Sequence, residues 1–395
     1  MTILRERHDI TVDFVVHWPV EAAFFCIFFS GWVRGGDIAY WIFNYMPHWE
    51  AASKEAQTLL RTFSGQFTTQ LFSLNQNRRL KWWGQEKYLP LPEAIAALPL
   101  FSRIARWHRI NHLFSSGGER LLAPRLAQAT SIITICKEPG AIDAFERNRH
   151  HLARFRYVVV ESSRHQEIME QCGIEKHRIK LIYPPAAKVH YKPGRIPFKI
   201  LFASSPPGRN QFLSRGILLV LRVAQRLPEV QFILVWRERH HEALRDLIAG
   251  AGVDNVSVIN GYVEDMGALY DSAHATMLPG LDYTSFKPAP HSALESLGHG
   301  KPLLVTPTSS IADLVAQWRC GIVFEPTAAG FEEAVRNLMG HYEELQENCH
   351  RTVEACFSKE AFIEKYRLLY EELLQGSEAR SAAPTPVRER VAGGP

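Results

Sequence analysis

The chain has 395 residues, 46% hydrophobic and 22% charged, values of an ordinary globular protein that exclude disorder as its main state. That length predicts roughly two domains of about 150–200 residues each. The net charge of +4 is unevenly divided: residues 1–195 carry 26 Lys+Arg against 17 Asp+Glu, and the remainder 19 against 24, so the first half suits an anionic surface or acceptor.

The six cysteines, at 26, 136, 172, 320, 349 and 356, form no C-x-x-C pair. This argues against a disulfide framework or structural zinc site and for a reducing, cytoplasmic setting. Ala22–Val33, the most apolar window, is broken by Ser30 and Gly31 and is too short for a bilayer that needs about 20 residues. No cleavable apolar stretch directly follows Arg5 and Arg7, so a signal peptide is not expected.

In chain order, the first half predicts strands at Val12–Val16, Phe67–Leu71, Arg109–Phe114, Ser131–Cys136, Tyr157–Glu161 and Ile179–Tyr183. Helices are expected at Asp37–Tyr45, Pro139–His151 and Ser163–Cys172, while Leu74–Leu100 fits neither period. Pro184-Pro185 and Lys192–Pro197 form a stiff polar connector, the best domain boundary. Beyond it the pattern is clearer. Apolar runs at Lys199–Ala203, Gln231–Trp236, Val256–Asn260, Ala275–Leu278, Pro302–Thr306 and Gly321–Phe324 alternate with helical spacing at Arg215–Leu227, His241–Gly250, Met266–Ser272, Ser292–Gly298 and Ile311–Gln317. Such alternation gives a doubly wound parallel sheet, with ligand-binding loops along the carboxyl edge of its strands. Phe357–Leu374 predicts a closing helix, followed by an Ala/Pro/Gly/Arg-rich tail. The expected division is residues 1–190, 198–374 and a disordered 375–395.

Two α/β domains facing a cleft suit a nucleotide or phosphorylated ligand. Three segments carry that chemistry. Arg34-Gly35-Gly36-Asp37 lets backbone N–H groups approach an anion. Ser204–Asn210 with Ser214-Arg215 follows the first strand of the second half, where Arg209 and Arg215 can fork onto a diphosphate. In Lys287–Glu295 a proline-rich loop enters a helix whose first turns hold an acid able to accept from two hydroxyls. There is no P-loop and no G-x-G-x-x-G, which disfavours a P-loop ATPase or a dinucleotide oxidoreductase. His150-His151 and His240-His241 lack a third ligand at metal spacing and read as solvated helix ends. Trp82-Trp83 with Tyr88 offers either sugar stacking or ordinary packing.

From Tyr157 to Leu345 the order of signals resembles the retaining glycosyltransferases of family 4. Val158–Ser163, then Gly173-Ile174 and Lys180–Pro184, is similar to that family's strand, serine turn, helix and "viyP" exit. Asn260–Val263 with Leu269-Tyr270 and Ala273 resembles "lGyv…lY…A", and Leu294–Val305 resembles "LEalasGkPvv". More loosely, Gly35-Gly36 resembles the glycine-rich loop and Ile110-Asn111-His112 the strand ending in histidine. The resemblance implies a GT-B fold, two Rossmann-like domains with the nucleotide sugar on the second and the acceptor on the first. It places Gly261, Tyr262 and Val263 by the base, Glu295 on the ribose, Arg209, Arg215, His291 and Ser292 by the diphosphate, and Gly35-Gly36 across the cleft from it. His112 would stand on the catalytic side.

One departure is prominent. The family has Glu-x7-Glu, but eight residues before Glu295 stands Lys287, so Lys287 itself or Asp282 would take the place of the missing acid. With no D-x-D in the chain, transfer is expected to need neither metal nor other cofactor beyond the nucleotide sugar as co-substrate. The expected acceptor is a glycan, a lipid-linked molecule or a small molecule, without nucleic acid, and with peripheral membrane contact through the basic first domain. A pseudo-glycosyltransferase that binds without turnover, favoured by Lys287, and a nucleotide-sugar epimerase of the same fold are the alternatives.

Overall fold

The computed structural model describes residues 11–12, 36–43, 45–46, 50–73, 98–115, 119–127, 130–136, 149–189, 194, 196–204, 208–237 and 239–382. Strands β1 (Thr11–Val12), β2 (Gly36–Ile42), β3 (Thr69–Ser73), β4 (His108–Phe114), β5 (Ser131–Ile135), β6 (Tyr157–Val160) and β7 (Ile179–Leu181) form one sheet in the order β1-β3-β2-β4-β5-β6-β7. All of its neighbouring strands pair in parallel. The helices of this half are α1 (Ala51–Phe63), α2 (Leu98–Ala105), α3 (Glu119–Leu126) and α4 (Ser163–Gln171).

A second parallel sheet holds β8 (Lys199–Phe202), β9 (Gln231–Trp236), β10 (Val256–Asn260), β11 (Ala275–Leu278), β12 (Leu303–Val305) and β13 (Gly321–Val323) in the order β10-β9-β8-β11-β12-β13. With its helices α5 (Gln211–Ser214), α6 (Ile217–Arg226), α7 (His241–Ala251), α8 (Met266–Ser272), α9 (His291–Gly298), α10 (Ala312–Trp318), α11 (Ala328–Gly340) and α12 (Tyr342–Cys356), it is the doubly wound arrangement whose strand order reverses between β8 and β11. The chain closes with α13 (Lys359–Ala382).

The strands expected in the second half are all present, within one residue at each end. In the first half the expected helix over Asp37–Tyr45 is instead strand β2. Its side chains alternate between two cores: Ala39, Trp41 and Phe43 join Leu113, Ile133 and Val158 on one face, while Ile38, Tyr40 and Ile42 join α1 and α13 on the other. A strand buried on both faces reads as an unbroken apolar run, which periodicity cannot separate from a buried helix; the β-branched and aromatic content decides it. Most of the expected elements at Val12–Val16 and Pro139–His151, and all but the end of Leu74–Leu100, lie outside the described residues.

The closing helix also corrects the expected domain division. Phe362, Tyr366, Leu369, Tyr370 and Leu373 of α13 pack with Tyr40, Ile110, Ile132 and Val159, so residues 359–374 belong by packing to the first domain. The helix continues to Ala382, into the segment expected to be disordered. Chain crossings between domains therefore occur twice, at the connector after β7 and at the turn before α13. The connector lies along the second domain, Ala186 N–H donating to Phe357 O at 2.9 Å and Val189 N–H to Gly298 O at 3.0 Å. No helix among the described residues is long and apolar enough to cross a membrane.

Candidate active site

The carboxyl ends of the strands in both sheets face a cleft of about 430 Å³, a size usual for small-molecule sites. It sits at the reversal point of the second sheet, where parallel α/β domains bind ligands. β8 runs out into Ala203 and Ser204 on its wall, β9 into Arg237, and β10 into Gly261, Tyr262 and Val263. Gly261 has φ of 108° and Tyr262 is 59% exposed beside it, a flat aromatic face open to the cleft.

Arg215 enters from the turn between α5 and α6. Its Nη1 donates to Ser204 O at 3.0 Å and to Ser204 Oγ at 2.5 Å, and burial lowers its pKa to about 10. The residue behind it must be glycine. Gly216 has φ of 75°, and a Cβ there would meet Pro279 O at 2.0 Å, so only glycine lets the turn carrying Arg215 dock on the loop after β11. Opposite, α9 opens at Pro290, with His291 and Ser292 on the cleft wall and its dipole suited to an anion. One turn further, Glu295 Oε2 accepts from the hydroxyl of buried Tyr270 at 3.2 Å.

The first domain contributes the start of α1. Glu50 and Lys54 line the cleft, and Lys54 Nζ lies 3.0 Å from Glu295 Oε1 across it. Glu50 Oε2 accepts from Ser53 Oγ at 2.9 Å; burial pushes its pKa up to about 7 against the lowering effects of Ser53 and Lys287.

Below this wall is a buried cluster. Ligand atoms of Glu55, Cys136 and Glu161 lie within 4.8 Å of one another, and the Lys287 ammonium of the second domain, whose nitrogen is buried, acts on all of them and on Glu50. Burial alone would lower the lysine pKa, but Glu161, Glu55, Cys136 and Glu50 outweigh it and hold the ammonium charged. Glu161 moves the other way: burial first, then the Glu55 charge, raise it well above the carboxylate range in spite of Lys287. His291 Nε2 reaches Glu55 Oε1 at 3.5 Å. A carboxylate–thiol trio could offer ligands to a metal, but this one already faces a resident cation, so the donor set does not fit a metal well.

Of the residues expected from sequence, the structure brings Arg215, Gly261, Tyr262, Val263, Lys287, His291, Ser292 and Glu295 to one cleft. Others it places elsewhere. Asp282 is exposed and folds back on its own loop, Oδ1 accepting from Thr284 N–H at 2.8 Å, Thr284 Oγ at 2.7 Å and Ser285 Oγ at 3.1 Å; a short acid at a turn caps the backbone two residues on. His112 is fully buried in the first domain between Tyr370 Oη and Thr134 Oγ1, each at 2.7 Å, and burial lowers its pKa to about 3. It fastens α13 to the sheet and does not reach the cleft. Gly36 begins β2 instead of following it, a strand length of roughly 20 Å from the ligand edge. There a Cβ would meet Thr68 O at 3.0 Å. Arg209 is exposed and not among the cleft-lining residues. Gly35, Trp82, Trp83 and Tyr88 lie outside the described residues. Sequence reasoning missed Glu50, Lys54 and Arg237; no motif marks them, because each becomes a cleft residue only where a strand or helix end meets the other domain.

The fold is GT-B, that of glycosyltransferases. The glycosyltransferase from Rickettsia africae ESF-5 is similar at a TM-score of 0.66 with 13% identity, covering 86% of this chain and 99% of that one. Sucrose-phosphate synthase from Thermosynechococcus elongatus matches at a TM-score of 0.66 with 13% identity, over 86% and 100% of the two chains. Anabaena Alr3699/HepE in complex with UDP-glucose matches at 0.64 with 14% identity, over 86% and 100%. In sequence, residues 200–341 match the family described as glycosyl transferases group 1, a span that contains the second domain's wall of the cleft. No curated protein matches the chain.

Proposed function

We propose that the protein transfers a sugar from a nucleotide sugar to an acceptor hydroxyl, with the nucleotide on the second domain and the acceptor on the first. One observation carries this reading. At the reversal point of the second sheet, the Glu295 carboxylate, the Arg215 guanidinium and the opening turn of α9 converge on one cleft within the span matching group 1 glycosyl transferases. Similar structures hold UDP or UDP-glucose, which supports a nucleoside diphosphate as the ligand class.

In this mechanism Glu295 accepts from the ribose hydroxyls and the exposed ring of Tyr262 lies along the base. As the glycosidic bond to the diphosphate lengthens, negative charge grows on the leaving oxygens, and Arg215 with the N-terminal dipole of α9 stabilises it. The acceptor hydroxyl attacks the sugar carbon and its proton passes to the departing phosphate oxygen on the same face, which retains the anomeric configuration. Arginine, lysine and a helix end supply the positive charge, so transfer proceeds without a divalent metal. A cytoplasmic location, with the basic first domain against an anionic membrane surface, completes the reading.

The test is thermal-shift screening with UDP-, GDP- and dTDP-sugars, then donor turnover followed by mass spectrometry with and without EDTA. Stabilisation by one donor and its EDTA-resistant turnover are expected. Binding without turnover under any acceptor would favour a pseudo-glycosyltransferase, the reading that Lys287 in place of an acid supports.

A further inference from the structure

Both oxygens of Glu295 are occupied. Oε2 takes the Tyr270 hydroxyl at 3.2 Å and Oε1 takes Lys54 Nζ at 3.0 Å. The two partners differ in kind. Tyr270 is 1% exposed and belongs to the same domain as Glu295. Its hydroxyl has no alternative in the core, and losing the bond would strand a buried polar group. Lys54 comes from the other domain, and the side chains of the pair are 42% and 35% exposed. An ion pair this wet is worth about 0–1 kcal/mol, so it is readily exchanged for another anionic partner.

A ribose that donates to Glu295 must share or displace one of these partners, and the lysine is the one that can leave. Lys54 stands one turn into α1 on the cleft wall, four residues after Glu50 and three after Ala51, which also line it. The other lysine and the arginines that line the cleft, Arg215, Arg237 and Lys287, all belong to the second domain, Arg215 being held by Ser204 and Lys287 by the buried carboxyls of the first domain. Among the described residues, the ammonium displaced from Glu295 is therefore the cation that the first domain brings to the cleft.

We infer that Lys54 is an exchangeable cross-domain cation, a stand-in for the donor that pairs with Glu295 in the empty cleft and passes to the diphosphate of a bound nucleotide sugar. This rests on the nucleotide-sugar reading above and adds to it a binding residue from the first domain. Here Lys54 does what the glycine pair was expected to do from that side. Because Lys54 competes with the nucleoside end of the ligand and favours its diphosphate end, its removal changes the two affinities differently.

The experiment is isothermal titration of wild type, Lys54→Met, Lys54→Arg, Glu295→Gln and the Lys54→Met/Glu295→Gln double variant. UDP, GDP and dTDP and the nucleosides uridine, guanosine and thymidine are the probes. Lys54→Met should weaken the preferred nucleoside diphosphate by roughly tenfold, the size of one lost charge contact, and leave the nucleoside equal or tighter. Lys54→Arg should restore most of the loss. The tenfold loss should persist in the Glu295→Gln background, where Lys54 no longer has that carboxylate to neutralise. Equal weakening of nucleoside and diphosphate, or disappearance of the effect in the double variant, would overturn the inference and leave the nucleotide reading standing. If wild type bound none of the diphosphates, both would fall together.

Discussion

The Lys287 ammonium of the second domain and the Glu161 carboxyl of the first are buried together at the cleft floor, each shifting the other's charge equilibrium. Neither the Lys287 nitrogen nor the Glu161 oxygens have a hydrogen-bond partner of good geometry, so the pairing is electrostatic and joins the domains through one lysine. Removing one member of such a cluster strands the rest, at a cost of about 3–5 kcal/mol. Lys287→Met should lower stability by that order, and Lys287→Met/Glu161→Gln should recover part of it. Calorimetric unfolding of the two variants checks this. Equal losses in both would mean that the Glu161 carboxyl does not feel the lysine.

Glu50 predicts a pH effect. Its pKa is about 7 in the folded protein against an ordinary value of 4.5. With the folded value raised, the folded state binds more protons than the unfolded chain between those limits, and stability falls as pH rises through the window. The contribution is present below pH 4.5 and lost above 7, on the order of 3 kcal/mol. Glu50→Gln should flatten that part of the stability profile. Parallel profiles for variant and wild type would place the carboxyl in water.

Glu295 anchors the proposed ribose contact. Glu295→Ala should weaken nucleotide-sugar binding by about 1.5–3 kcal/mol per charge-assisted bond lost. Thermal stability should fall by about 1–3 kcal/mol, because the buried Tyr270 hydroxyl loses its acceptor while the solvated ion pair contributes little. Tyr270→Phe should have a smaller effect of the same sign, by loosening the carboxylate. Unchanged donor affinity in Glu295→Ala by titration calorimetry would remove the ribose role.

His112 and Asp282, both expected in the chemistry from sequence, should behave as structural residues. His112→Ala deletes a ring packed on Phe114 at a centroid distance of 4.3 Å and takes its partner from the Tyr370 hydroxyl, while Thr134 keeps the Tyr366 hydroxyl. It should destabilise by roughly 2–4 kcal/mol while the folded protein keeps the kcat of the proposed transfer. Asp282→Asn should cost about 1 kcal/mol through its loop bonds and likewise leave kcat unchanged. A tenfold fall in kcat for Asp282→Asn, with structure intact, would return that carboxylate to the reaction.

Much of the fold was legible because the second domain is built from local signals. Its strands are short apolar runs separated by helical spacing, and the loops after them carry Gly261, Pro290 and Glu295 at fixed distances along the chain. Whatever depends on one strand and the loop that follows it could be read from spacing. The first domain hid its first full strand because Gly36–Ile42 is buried on both faces and shows no polar beat. Mistaking it for a helix moved Gly36 from the start of a strand to the ligand edge.

By itself the sequence determined two parallel α/β units, the loops on the second domain's side of the cleft, and the replacement of an expected acid by Lys287. Tertiary structure alone decided what that lysine meets, which cations line the cleft from the other side, and which of two candidate histidines and acids reach it. The physical reason is distance along the chain. Lys54 and Glu295 are 241 residues apart, and His112 and Tyr370 258. Neither pairing leaves a trace in local periodicity. Each exists because two sheets turn their carboxyl edges toward one another and a C-terminal helix crosses back to cover the first of them.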